Sequence, residues 1–240
     1  MTCNMRIASE QQTPVCEEAA IYNALLPLRG ARILELGCGK AVHTRTIAER
    51  CEARSIVAME VDRTQHSKNL QIADLPTVEF RLGGAEAIPA EDEQFDLVLM
   101  FKSLHHVPLP VMGQALGEIR RVLRPGGLAY ISEPVYAGSF NEILRLFHDE
   151  KQVREAAFAA VGRAVSDGLF ELVTETFFQT PTHFSDFAQF EQQVLGVTHT
   201  RHELSPALYE TVRTRFLEHM TEAGADFLTP IRVDLLKKPE

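Results

Sequence analysis

The sequence predicts an α/β fold built on a largely parallel sheet, on two observations. Short apolar segments alternate with helical patterns from residue 31 to residue 134, and the first segment runs straight into the glycine turn Gly37-Cys38-Gly39 and a helix pattern. The segments RILELG (32–37), SIVAMEV (55–61), TVEFRLG (77–83), FDLVLMF (95–101) and LAYISEP (128–134) are apolar on both faces, as strands buried between two helical layers are. Strand–helix alternation at this spacing means βαβ units. Right-handed crossovers then put a ligand crevice at the carboxyl ends of the strands.

In chain order, residues 14–28 predict a short helix before the first strand. Residues 42–53 place Val42, Ile47 and Cys51 roughly on one helical face, and residues 63–73 predict a more polar helix. Residues 110–124 place Val111, Ala115, Leu116, Ile119, Val122 and Leu123 at helical spacing, with Pro125-Gly126-Gly127 as the stop. After Pro134 the pattern changes. Residues 139–166 read as mainly helical, 169–178 as a strand, 185–195 and 205–222 as helices, and 226–236 as a closing strand. These later segments, with residues 1–30, are the expected cover of the crevice.

The chain has 240 residues, enough for one sizeable core, so a single domain with a cap is expected. No run approaches a membrane span, and MTCNMRIASEQQTP has no apolar signal-peptide core; a cytoplasmic protein is expected. A formal net charge of −9 disfavours nucleic acid and anionic membrane as partners. The cluster Arg120, Arg121, Arg124 reads as the solvated last turn of a helix. Cys3, Cys16, Cys38 and Cys51 form no CxxC pair, so free thiols are expected. The nine histidines form no HxxxH or Cys/His pattern, so no metal is expected.

Gly37 and Gly39 let the backbone turn tightly and approach a ligand, and the helix that follows points its amides and positive dipole end at it, which suits an anion. A dinucleotide fingerprint would want a third glycine at position 42, where this chain has Val42. Glu60 closes the second strand 21 residues beyond Gly39, where α/β nucleotide folds place a carboxylate on ribose hydroxyls. Asp62 is expected to cap the helix starting near Arg63.

Across residues 31–134 the sequence resembles the class I S-adenosylmethionine (SAM)-dependent methyltransferases, most closely the small-molecule type that includes quinone-biosynthesis enzymes. The resemblance rests on four ordered pieces: LELGCGKA, AMEVD, GGAEAIPAEDEQFDLVLM, and SLHHVP followed by LGEIRRVLRPGGLAYISEP. It implies a Rossmann-like seven-stranded sheet with an antiparallel last strand, helices on both faces, and a helical cap over the acceptor site. It divides the chain into an N-terminal helical segment (1–30), a SAM-binding core (31–134), and cap helices with closing strands (135–240). It implies SAM as cofactor, with Glu35 near the methionyl ammonium, Gly37, Cys38 and Gly39 around the methionyl group, Glu60 on the ribose diol, and Val61 beside the adenine. Ala85 and Glu86 would line the adenine edge, and the Phe101 backbone would face the methionyl group. The chain departs from the family twice. Ala41 stands where a third glycine is usual, and its small side chain still lets the helix pack near the strand. Gly84 stands where the family has an Asp that accepts from the adenine amino group, so another group must satisfy that donor.

The resemblance implies methyl transfer to a small-molecule acceptor by in-line displacement, in a monomer or homodimer. His106 and His105, after the fourth strand, are the candidate catalytic groups, with His148, Glu133 and Tyr136 as further candidate bases or orienters. Lys102 could meet an acidic acceptor or stand solvated at the rim. Phe177, Phe178, Phe184, Phe187 and Phe190 could line an apolar acceptor pocket or pack cap against sheet. Two other functions fit less of the sequence. A SAM-binding regulatory module without catalysis is left open by Gly84. An NAD-dependent oxidoreductase is opposed by Val42 and by the absence of a Tyr-x-x-x-Lys pair, since Pro134 and Phe140 follow Tyr130 and Tyr136 at that spacing.

Overall fold

The computed structural model describes residues 5–197 and 203–240; Cys3 lies outside them. Five strands, β1 (Arg32–Leu36), β2 (Ser55–Glu60), β3 (Val78–Leu82), β4 (Phe95–Phe101) and β5 (Leu123–Pro134), run parallel. The later strands are β6 (Glu171–Phe184), β7 (Met220–Thr221) and β8 (Gly224–Lys237), and the sheet order is β3-β2-β1-β4-β5-β8-β6. β8 is antiparallel to both β5 and β6, as the closing strand should be. The order reverses between β1 and β4, so the carboxyl ends of these two strands open the crevice in which α/β folds bind ligands.

The expected count of seven strands needs correction, because the described residues contain eight. β7 pairs with β8 off the main path, where the helical pattern over 205–222 had been expected to continue. The helix itself, α8 (Pro206–Leu217), stops earlier. The cause is Gly224 at φ +113, where a Cβ would lie 2.5 Å from the Phe184 carbonyl oxygen. Only glycine makes this turn, and the chain folds back as a hairpin.

Helices α2 (Val42–Arg50), α3 (Arg63–Asn69) and α4 (Met112–Val122) connect the parallel strands. Alternate residues along each strand enter different cores. Leu34, Leu36, Val98 and Met100 pack with α4 and α6 (Lys151–Ser166), while Ile33, Leu97 and Leu99 pack with α2 and α1 (Glu18–Leu25). Both faces are buried along β1, β2 and β4, which is why these strands read as largely apolar runs, while β3 at the sheet edge is only partly covered. α4 ends at Val122, and Leu123 already pairs with Phe95. Pro125-Gly126-Gly127 therefore sits in an irregularity of β5 rather than at the helix stop.

A third core belongs to the cap. Phe184, Phe187 and Phe190 pack with Phe140, Phe216 and Phe227, so most of the aromatic run is cap interior rather than acceptor wall. Phe178 packs on the sheet, and Phe177 lies under the Arg6 guanidinium. The basic cluster is not a free patch either. Arg121 pairs with Glu118 and Asp92, and Arg124 with Asp96. Among the described residues no helix is long and apolar enough to cross a membrane.

Candidate cofactor and acceptor site

β1 ends at Leu36 and the chain turns at once. Gly37 (φ +73) and Gly39 (φ +51) take left-handed conformations, and the Gly37 and Cys38 amides both donate to the Met59 carbonyl at 2.9 Å. On the other side Ser103 donates from Oγ to the Leu36 carbonyl at 2.7 Å. The turn is thus clamped between β2 and the loop after β4. Ala41 is also left-handed, at φ 58. The family's usual glycine answers this backbone conformation, which costs a non-glycine residue about 1–2 kcal/mol, and not side-chain size alone.

Glu60 is fixed by three amides. Gly39 donates to Oε2 at 2.8 Å, and Val61 and Asp62 donate to Oε1 at 2.8 and 2.9 Å. Asp62 in turn caps α3 by accepting from the Thr64 amide, as expected. Glu35 lies fully buried beneath the turn and accepts from Thr44 Oγ at 2.6 Å. Burial pushes its carboxyl up to about 7, against the lowering effect of Thr44, with Glu18 and Glu60 adding to the rise.

A cavity of about 720 Å³ opens above the turn, lined by Gly37, Gly39, Glu60, Val61, Ala85, Glu86, Met100, Lys102, Ser103 and His106, among others. Nothing lies within 4 Å of a Cβ placed on Gly39, so the backbone there faces open space. At Gly84 the opposite holds. A Cβ there would collide with the Glu86 carboxylate, whose Oε1 would be 2.6 Å away. Glu86 therefore occupies the space that a side chain at position 84 would fill.

A second cavity of about 290 Å³ adjoins the first and shares Lys102, His106 and Val197 with it. Phe140, Leu144 and Val194 form its apolar wall, and Thr180, Thr182 and Thr229 face it from the sheet. One side is a buried ionic chain. His105 Nδ1 is 2.6 Å from Glu133 Oε2, and its Nε2 is 3.5 Å from Glu150 Oε1. Glu150 Oε2 accepts from Arg154 at 2.6 Å, and Arg154 donates to Asn141. Burial alone would lower the His105 pKa, but the Glu133 and Glu150 carboxylates override it and raise it to about 9. Burial would likewise raise Glu150, yet His105 and Arg154 hold it well below the usual carboxylate range. His105 is therefore an imidazolium near neutral pH, with no lone pair to take a proton.

A sequence model of the methyltransferase domain matches residues 33–127. Those residues are a class I SAM-dependent methyltransferase domain. Its cofactor is SAM, and the open space over Gly39 beside the fixed Glu60 carboxylate fits a nucleoside. The chain is 30 % identical over 227 residues to an uncharacterized 37.1 kDa protein in transposon TN4556 of Streptomyces fradiae, covering 88 % of this chain and 63 % of that protein. It is 35 % identical over 112 residues to the ubiquinone biosynthesis O-methyltransferase of Roseobacter denitrificans, covering 44 % and 42 %. The chain thus spans less than two thirds of the length of either relative. The fold matches that of the YcgJ protein of Bacillus subtilis, with a TM-score of 0.61 at 15 % identity over 92 % of this chain and 97 % of that one.

Of the residues singled out in the methyltransferase sequence, Gly37, Gly39, Glu60, Val61, Ala85, Glu86 and His106 line the larger cavity, and His105 lines only the smaller. Glu35, Cys38 and Phe101 line neither. Cys38 Sγ faces Asn69 Nδ2 at 3.5 Å, and the Phe101 ring stacks on His43 with centroids 4.1 Å apart. Lys102 sits at the junction of the cavities with Nζ 3.5 Å from Glu18 Oε2, so α1 supplies its counter-charge. His148 lines the smaller cavity and lies 3.0 Å from Glu150 Oε1. Sequence reasoning missed Glu150, Arg154, Ser103 and Glu18. Glu150 and Arg154 have the spacing of an ordinary exposed helix pair, and only the fold shows them buried.

Glu35 gives a pH prediction. Between the unfolded carboxyl value of about 4.3 and the folded value of about 7, the unfolded chain is ionised while the folded chain keeps its proton. Stability from this group therefore falls as pH rises through that window, by about 4 kcal/mol in all. Glu35→Gln should remove that fall. Urea unfolding at pH 5 and pH 8 should show the variant gaining on the parent at the higher pH, and parallel curves would refute the assignment.

Proposed function

We propose that the chain transfers a methyl group from SAM to a small-molecule acceptor held in the smaller cavity, by in-line displacement. The observation that carries this reading is the meeting of the two cavities at Lys102 and His106. A bound SAM supplies an electrophilic methyl on a sulfonium. The protein's part is to bind, align and keep the junction dry. Gly37 and Gly39 admit the methionyl end, and buried Glu35 supports the turn from beneath through Thr44. Glu60 accepts from the ribose diol with its remaining lone pairs. Phe140, Leu144 and Val194 exclude water from the acceptor. His106 orients the acceptor or accepts its proton, since His105 is already protonated between two carboxylates.

The reading is tested by thermal shift and by transfer. SAM and its demethylated product should both raise the melting temperature while NAD does not, and labelled SAM should mark a small molecule from a cell extract only when the protein is present. Stabilisation by NAD alone, or label found only in macromolecules, would overturn it. Glu60→Ala should weaken SAM binding by about 1.5–3 kcal/mol, the range of charge-assisted hydrogen bonds. Asp62→Ala should do much less, and calorimetry giving the reverse order would move the ribose contact.

Glu86 supplies the carboxylate that Gly84 lacks. Its oxygens already lie where an acid at 84 would reach, so it is the acceptor for the adenine amino group. Glu86→Ala should weaken SAM binding about tenfold or more. Gly84→Asp alone should not tighten it, because the two carboxylates compete for one place. The double variant should recover most of the loss. Additive losses in the three variants would refute the exchange.

A further inference from the structure

We propose that His105, His106 and Glu150 form a binding site for one divalent transition-metal ion of the zinc type, at the edge of the acceptor cavity. One potential ligand atom from each residue lies within 4.8 Å of the others. His105 Nδ1 is committed to Glu133, which leaves Nε2 directed at Glu150 Oε1 across 3.5 Å. Two ligands on a tetrahedral zinc with bonds of about 2.0–2.1 Å stand about 3.4 Å apart, so this pair needs almost no adjustment. The His105 and His106 rings lie side by side, with centroids 4.0 Å apart, which brings the third ligand to the same place.

The surrounding groups fit a metal centre. A metal-bound histidine usually gives its other N–H to a carboxylate, and Glu133 already stands there. Arg154 holds Glu150 Oε2, and Oε1 lies between His105 Nε2 at 3.5 Å and His148 Nε2 at 3.0 Å, so a metal there takes the place of the His148 contact. Two buried carboxylates face one buried guanidinium, a surplus of negative charge that a cation balances in place of the His105 proton. Two imidazoles and a carboxylate favour zinc, cobalt or nickel over magnesium or calcium. Three protein ligands leave a fourth position open. His106 borders both cavities, so that position faces the acceptor. A hydroxyl binding there would lose its proton to solvent more readily, as metal-bound water does, and His106 would then act as a ligand instead of a base. No sequence pattern marks the site, because Glu150 is remote from the histidine pair along the chain.

The site's role toward the acceptor rests on the methyl-transfer reading, but the test of metal binding needs neither acceptor nor turnover. The full chain, stripped with a chelator, is titrated with Zn²⁺ and separately with Co²⁺, following bound metal, the visible Co²⁺ bands and the melting temperature. One ion per chain should bind at micromolar concentration, with intense tetrahedral-type Co²⁺ bands and a raised melting temperature. His106→Ala and Glu150→Gln should each weaken binding at least tenfold, and Glu133→Gln by about 10–100-fold. A cooperative urea transition of His106→Ala and of Glu150→Gln, measured without metal, reports that each variant is folded. Failure to bind one equivalent, equal binding by the His106→Ala and Glu150→Gln variants, or an equal response to Mg²⁺ would overturn the proposal.

Discussion

His105→Ala should lower the unfolding free energy of the metal-free chain by about 3–5 kcal/mol, the cost of removing one partner from a buried ionic pair. The imidazolium stands between Glu133 and Glu150, and all three side chains are at least nine-tenths buried. Removing it leaves two carboxylates in the interior with Arg154 alone to offset them. The damage should also spread. Glu133 anchors the Leu104 amide at the exit of β4, and Glu150 precedes α6, so the loop carrying His106 and the start of that helix lose a common tie. His105→Gln should recover only part of the loss, since an amide is neutral and cannot offset either carboxylate. Chemical denaturation checks this. A loss below 1 kcal/mol would mean that the chain of charges is solvated in solution.

Gly37→Ala should cost about 2–5 kcal/mol, combining a left-handed residue with overpacking. The backbone is at φ +73, and the new methyl would sit 2.7 Å from Ser103 Cβ. Ser103 cannot retreat without giving up its hydrogen bond to the Leu36 carbonyl. Gly39→Ala makes an informative contrast. Its φ is +51, but the methyl meets nothing within 4 Å, so the stability cost should stay near 1–2 kcal/mol. That methyl would project into the space kept for the cofactor, so the larger loss should be in SAM affinity. Urea midpoints and SAM titrations of the two variants should therefore rank in opposite orders. The same rank in both measurements would show that the turn is not divided in this way.

The strands of the parallel half were legible because both sheet faces are buried. Ile33 and Leu34 go to opposite cores, so apolar residues fall on both faces with only Glu35 between them and Leu36, and β4 occupies the same residues that its apolar stretch marks. The capping role of Asp62 was legible because it depends on the next two residues only. What depended on distant chain was not. The hairpin at Gly224 follows from the Phe184 carbonyl packed against it, which no local pattern over 205–222 contains. The aromatic run looked like a pocket because periodicity cannot say which side of a cap faces the cavity. Gly84 was legible as a missing carboxylate, but that the Glu86 carboxylate fills the space beside it depends on a side-chain direction. The opposed histidine and carboxylates at 105, 133 and 150 meet only because β4, β5 and α6 converge there.

The placement of β8 has a consequence for how the chain comes off the ribosome. Among the described strands β6 pairs with β8 alone, which lies between it and β5, and its Gln179 also pairs with the segment around Val15. The parallel half can close as soon as β5 has emerged, because each of its strands after β1 has a neighbour made earlier. β6 then waits with the edge that β8 will pair open to water until residues 224–237 follow and slot in between. In that interval the nascent chain exposes two open strand edges, those of β5 and β6, and these are the places where pairing with another chain would begin. The wall of the smaller cavity contributed by Thr180, Thr182 and Thr229 exists only after that last insertion. The cofactor half can thus assemble first during synthesis, and the acceptor half is completed last.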